Sequence, residues 1–289
     1  LSEFWDRYVE LQVGSVIITL DDLDIEFEVE NNEESSAGTA EIAVYNLGQS
    51  KSAFKKDEMV QLKAGYRSDY GIIFYGKIDK VWDERDGADV KTVLQASDLT
   101  KQLFMAKPIC KVYPRGTSIA AIVADLFAEA GIPLGKIDDP GIVLEKDMVF
   151  GGTTTSTPHV ILTEQILPLV NGNRVKGLQL DGALARFGEL TELYTAFVGQ
   201  DGMGYFVKRS YNAEAIVIDS ESGLMEVQDV SREGDTAAYR VRCIFNWKIR
   251  QGTIVQLDSI TVSGNFKVTK FKHVCKGEEY YTEMEVAPL

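Results

Sequence analysis

The chain is poor in the residues from which active centres are most often built. It has 2 histidines and 3 cysteines in 289 residues. His159 and His273 cannot furnish a three-histidine zinc site. Cys110, Cys243 and Cys275 are odd in number, far apart and without a C-x-x-C pair, so no disulfide framework or metal cluster is indicated. Cys243 and Cys275 fall inside strand patterns, where a cysteine acts as a small apolar group, and a reducing cytoplasm is the expected place of synthesis. Long apolar runs are missing too. Nothing approaches the roughly 20 residues of a membrane helix, so no membrane span is expected. Leu1 to Leu11 mixes charge and aromatics and has none of the apolar core of a signal peptide. Basic residues are short: 30 Lys and Arg stand against 44 Asp and Glu, a net charge of −14. No cationic surplus is left to neutralise phosphates, and specific nucleic-acid binding is not expected.

Catalytic signatures are equally sparse. H-E-x-x-H, G-x-S-x-G and G-x-x-x-x-G-K-[ST] do not occur. His273 and Cys275, two apart on one strand face, have the spacing of a Cys–His pair but fit packed strand residues better. Among so many carboxylates some pair always falls near a glycosidase spacing, so that spacing carries no information. No catalytic, metal or cofactor site is assigned, and the chain is expected not to be an enzyme.

What the chain has in abundance is β-pattern. Thr39 to Ser97 reads as four β-branched and aromatic runs, T-A-E-I-A-V-Y-N-L, M-V-Q-L-K-A-G-Y, Y-G-I-I-F-Y-G-K-I-D-K-V and V-K-T-V-L-Q-A-S, split by turn residues as in an antiparallel meander. The meander recurs. Val255-Gln256-Leu257 repeats Val60-Gln61-Leu62, Gly264 matches Gly71, Thr282 to Ala287 answers Thr92 to Ala96, and Phe245-Asn246-Trp247 answers Tyr45-Asn46-Leu47. The offset falls from 200 through 195 and 193 to about 190, which puts the length differences in turns.

Ahead of the first copy, Leu23 to Glu30 alternates strictly. Leu23, Ile25, Phe27 and Val29 share one face, and Asp24, Glu26, Glu28 and Glu30 the other. Two readings of that carboxylate ladder stand: a solvated face that resists edge-to-edge association, or the acidic lining of a passage. Gly48 to Glu58, absent from the second copy, has the composition of a short helix presenting Phe54 to a partner or to the core, followed by Lys55 and Lys56. These three are candidates for an inter-subunit or tube contact.

The pattern changes at Gly116. G-T-S-I-A-A-I-V-A-D-L-F-A-E-A-G-I is a helix capped by Thr117 or Ser118, apolar at 119, 122, 123, 126 and 127, and stopped by Gly131 and Pro133. Gly141 to Phe150 is expected to be a strand, Thr163 to Val170 a helical turn interrupted by Pro168, and Ala183 to Val198 a second helix. The fold class is therefore mainly β with an α/β insert: two similar antiparallel β-barrels, over 1–105 and 212–289, flanking a mixed α/β middle domain at 106–211.

T-A-E-I-A-V-Y-N-L, A-G-Y and Y-G-I-I-F-Y-G-K-I, followed by the helix from Gly116, resemble the first barrel and following helix of phage tail baseplate hub proteins. E-S-G-L-M-E-V, C-I-F-N-W-K-I-R-Q-G, S-G-N-F-K-V, K-H-V-C-K-G and Y-Y-T-E-M-E-V resemble that family's closing barrel. The family includes late control protein D and the hub part of type VI secretion spike proteins. Residues 151–180 match nothing in it, and a fused spike is not expected. The resemblance implies a homotrimer whose two barrels per chain form a pseudo-sixfold ring. That ring would adapt a sixfold tail tube to a separate threefold central spike, in a virion baseplate assembled in the host cytoplasm. The competing expectation is a tail-tip peptidoglycan hydrolase or endopeptidase with a site near His159 in the middle domain.

Overall fold

The computed structural model describes residues 6–32, 38–99, 106–171, 194–199, 201–208, 215–231 and 238–288. They fall into two compact units: Leu1–Asp98 with Ala213–Leu289, and Leu99–Asn212.

The first unit opens with β1 (Arg7–Val13), β2 (Val16–Thr19), β3 (Ile25–Asn32), β4 (Thr39–Tyr45), β5 (Met59–Tyr66), β6 (Asp69–Asp86) and β7 (Asp89–Asp98). A 3-10 helix, Gly48–Ala53, occupies the stretch between β4 and β5. Alternation decides the faces: Val9, Leu11 and Val13 of β1 are wholly buried, and Ile25, Phe27 and Val29 of β3 point into the same core.

The second unit carries β8 (Cys110–Tyr113), α1 (Ile119–Glu129), β9 (Leu134–Ile137), β10 (Met148–Gly151), β11 (Tyr194–Val198) and β12 (Gly204–Lys208). Ser118 caps α1, its Oγ accepting from Ala121 N at 3.2 Å, and Ile119, Ile122, Val123, Leu126 and Phe127 bury the apolar stripe. β12 pairs antiparallel with β11 and parallel with β9, while β8 and β10 form a ribbon. Three expectations change. Of the helix expected at Ala183 to Val198, the described part, Tyr194–Val198, is a strand, and the remainder lies outside the described residues. Y-T-A-F-V suits either state locally; pairing with β12, and Asn171 bonding both N–H and C=O of Tyr194, select the strand. Gly141 to Phe150 is strand only from Met148, with Val143 making an isolated bridge to Ser118. Pro168 does not interrupt the helix. A π-helical segment, Leu162–Ile166, lies between α2 (Pro158–Ile161) and α3 (Leu167–Val170), and its wider turn makes room for the proline ring.

The chain then returns to the first unit with β13 (Ile216–Ile218), β14 (Leu224–Asp229), β15 (Tyr239–Ile244), β16 (Ile254–Asp258), β17 (Ser263–Lys276) and β18 (Glu279–Pro288). Here the pairings repeat. The first copy runs β3-β4-β7-β6-β5-β1, and the second runs β14-β15-β18-β17-β16-β13, with β13 parallel to β16 where β1 is antiparallel to β5. The repeat extends to register. Ile78 faces Ala96 and Val268 faces Val286, a shift of 190 in both strands (268 less 78, 286 less 96). A bulge follows at once in each, between Ile78 and Lys80 and between Val268 and Lys270, and the register then resumes with Lys80 opposite Gln95 and Lys270 opposite Glu285. Two unrelated hairpins have no reason to share a bulge at one position.

Register also corrects the sequence alignment. Gly264 faces Leu257 as Phe74 faces Leu62, so its counterpart is Phe74 and not Gly71. Cys243 faces Thr282 as Val44 faces Thr92, one residue from the match drawn through Phe245 and Tyr45. The slips arise because copies of different loop length are aligned on whichever glycine or aromatic lies nearest.

The two copies are also fused. β17 pairs antiparallel with β3, Lys272 opposite Glu30 and Val274 opposite Glu28, making one 13-stranded sheet over one shared core. Two separate closed barrels are thus not what the hydrogen bonds describe. Among the described residues no pairing returns β2 to β3 or β13 to β14.

Candidate functional site

The outward face of this sheet holds the carboxylate ladder. Glu26, Glu28 and Glu30 lie in register on β3, pointing away from Ile25, Phe27 and Val29. Asp24 precedes the strand; it is exposed, and its carbonyl accepts from Tyr45 N at 3.0 Å. The ladder is not a bare acidic surface. Lys91 Nζ lies 2.8 Å from Glu26 Oε2, and Lys272 Nζ lies 2.7 Å from Glu28 Oε1. Further along the second copy, Arg242 meets Glu283 at 2.8 Å and Arg240 meets Glu285 at 3.1 Å. Lys272, Arg242 and Arg240 sit one strand over from their carboxylates, the cross-strand arrangement that favours pairing, while Lys91 on β7 reaches Glu26 across the intervening β4. Glu26 raises the pKa of Lys91, and Glu283 that of Arg242. Burial works against the charge of Lys272, but the pair with Glu28 outweighs it and its pKa also rises.

Beside the ladder the sheet forms a shallow hollow of about 320 Å³ lined by Glu28, Glu30, Glu41, Asp79, Gln95 and Ser97, among others. It is acidic and largely open, and no group of three metal-ligating side chains occurs among the described residues. Sequence reasoning found the acidic row and missed the cations. The signal was available in the same alternation: Arg240 and Arg242 in Y-R-V-R-C, Lys270 and Lys272 in T-K-F-K-H.

Phe54 is 5 % exposed and belongs to the core, so its side chain is not presented outward; Lys55 and Lys56 are exposed. His159 is in the first turn of α2, half buried, with its pKa lowered by burial against the opposing charge of Glu164. His273 and Cys275 are not a reactive pair. The His273 ring is wholly buried. Its Nε2–H donates to the Ile249 carbonyl at 3.2 Å and its Nδ1 accepts from Thr282 Oγ1 at 2.9 Å, because a carbonyl can only accept. Burial lowers its pKa to about 3 and raises that of the Cys275 thiol to about 11. Neither is poised for catalysis near neutrality.

No family model and no curated protein matches the chain, but solved structures do. A tail protein from Neisseria meningitidis MC58 aligns over 98 % of this chain and 97 % of its own at a TM-score of 0.67 and 9 % identity. The 43 kDa tail protein of prophage MuSo2 from Shewanella oneidensis aligns over 98 % and 97 % at 0.65 and 10 % identity. An Escherichia coli component of the type VI secretion system, itself described as structurally similar to bacteriophage T4 tail proteins, aligns over 96 % of this chain and 76 % of its own at 0.58 and 6 % identity. At such identities the likeness is one of fold. The chain has the fold shared by phage tail proteins and type VI spike-related proteins.

Proposed function

We propose that the chain is a structural baseplate hub or tail-tip protein of a phage or phage-like particle, without catalytic activity. Three copies form a ring around a central passage, joining a sixfold tail tube on one side to a separate threefold spike on the other. The observation that carries this reading is the internal repeat: one sheet occurs twice with the same strand order, register and bulge, and the copies are joined strand to strand through β3 and β17. Three such chains supply six similar sheets. A threefold assembly can then meet a sixfold partner with one repeated surface. Full-length likeness to tail proteins supports the same conclusion.

In this ring the charged outer face of the sheet lines the passage. Its cations Lys91, Lys272, Arg240 and Arg242 are held in ion pairs. DNA or protein cargo therefore meets no continuous cationic track that would hold it. The protein acts in the virion baseplate after assembly in the host cytoplasm. Mixing the purified chain with its tube and spike proteins and imaging the product tests the reading: a three-chain ring between them is expected. Cell-wall hydrolysis that disappears with His159→Ala would overturn it in favour of a tail-tip hydrolase.

A further inference from the structure

The junction between the copies leaves two matching strand edges at the ends of the sheet. Inside the chain, β17 gives β3 the edge that β18 does not use. On β6, the counterpart of β17, that edge is followed only to Ile78, which exchanges backbone bonds with Asp57 and Glu58; beyond it, among the described residues, the strand beside β6 is β7 alone. β14, the counterpart of β3, pairs with β15 on one side and, among the described residues, ends the sheet on the other.

We infer that β6 of one chain pairs antiparallel with β14 of the next, in the register that joins β17 to β3. The inference rests on the ring proposed above and names the edges that close it. Moving the internal register by the offsets of the two strands, 190 for β17 to β6 and 200 for β3 to β14, sets Trp82 opposite Val230 and Glu84 opposite Gln228. The contact is heterologous: the first-copy edge of each chain meets the second-copy edge of its neighbour, so the same bond repeats until the ring closes. Exposure agrees with a missing neighbour. Val29 and Val274, at the internal junction, are 2 % and 4 % exposed, whereas their counterparts Asp229 and Glu84 are open to solvent. A bare sheet edge is a template for another chain, and a copy of this chain carries the one edge already shown to fit. The register also brings Asp83 against Asp229, a like-charged pair that makes this junction weaker than the internal one.

Disulfide trapping tests the register. Glu84→Cys combined with Gln228→Cys, in a Cys110→Ser background, places thiols on directly opposite residues of adjacent chains, within disulfide reach only in this register. Mild oxidation is expected to give a covalent trimer that reducing agent dissolves, with neither single-cysteine variant doing so. Glu84→Cys with Asp229→Cys, one residue out of register, is expected to trap at least tenfold less. A three-chain particle with no trapped trimer would overturn these edges and leave the ring standing. No three-chain particle and no trapping would overturn both.

Discussion

Two residues show how the repeat was adapted one side chain at a time. Thr92 and Thr282 occupy the same place in the two copies, both buried, and each bonds the residue across the hairpin: Asp83 in the first copy, His273 in the second. Covering that position in the second copy makes stability depend on pH. The folded pKa of His273, about 3, lies below the ordinary 6.5. Its contribution is therefore complete above pH about 6.5 and is lost as pH falls toward about 3, by up to about 1.4 kcal/mol per unit. Urea midpoints measured from pH 7 to 4.5 should fall for the native chain and flatten for His273→Gln. His159 shifts in the same direction but lies in the other unit, so the substitution separates the two. A second residue-scale prediction concerns Gly71. A Cβ there would lie 2.4 Å from the ring of Trp247, which Asp69 fixes through a 3.0 Å bond from Nε1. Gly71→Ala should cost about 1–3 kcal/mol by denaturant unfolding, and much less in a Trp247→Ala background. The packed state of His273 was legible in its strand pattern, but the Trp247 contact was not, and in the sequence Gly71 served only to align the copies. A close approach between residues so far apart has no local signature.

At the scale of the element, legibility follows the range of the interaction that decides it. The alternation of β3 needs only the side chains of β3, and the Ser118-capped α1 needs only its own stripe and cap; both were readable. Tyr194–Val198 was not, because Asn171 and β12 select its conformation from outside. The candidate face was half readable. Its acidic row lies on one strand, while its neutralising partners, Lys272 on the neighbouring β17 and Lys91 on β7 beyond β4, are brought there only by long-range pairing. Those pairs are partly exposed, so Lys272→Ala should cost less than about 1 kcal/mol. Neutralising the ladder with Asp24→Asn, Glu26→Gln, Glu28→Gln and Glu30→Gln should leave the three-chain particle intact and alter genome or effector passage. Loss of the particle would instead make the ladder part of a subunit contact. Mass photometry of the variant beside the native chain, with a delivery assay, distinguishes the outcomes.

At the scale of the whole molecule, a single plan used twice is what ties sequence to function. The sequence carried it as an offset drifting between strands; the structure resolves the drift into fixed steps, 190 across the long hairpins and 195 between Leu62 and Leu257, with the difference confined to turns. Two closed barrels were expected because a meander of this length often closes on itself. The copies instead extend one another, and that continuity, carried on from chain to chain, is the basis of the proposed ring. The most direct test is the solution mass of the purified chain at high concentration, by sedimentation or native mass spectrometry. Three times the 32.0 kDa chain mass is the predicted result, and a stable dimer would contradict it.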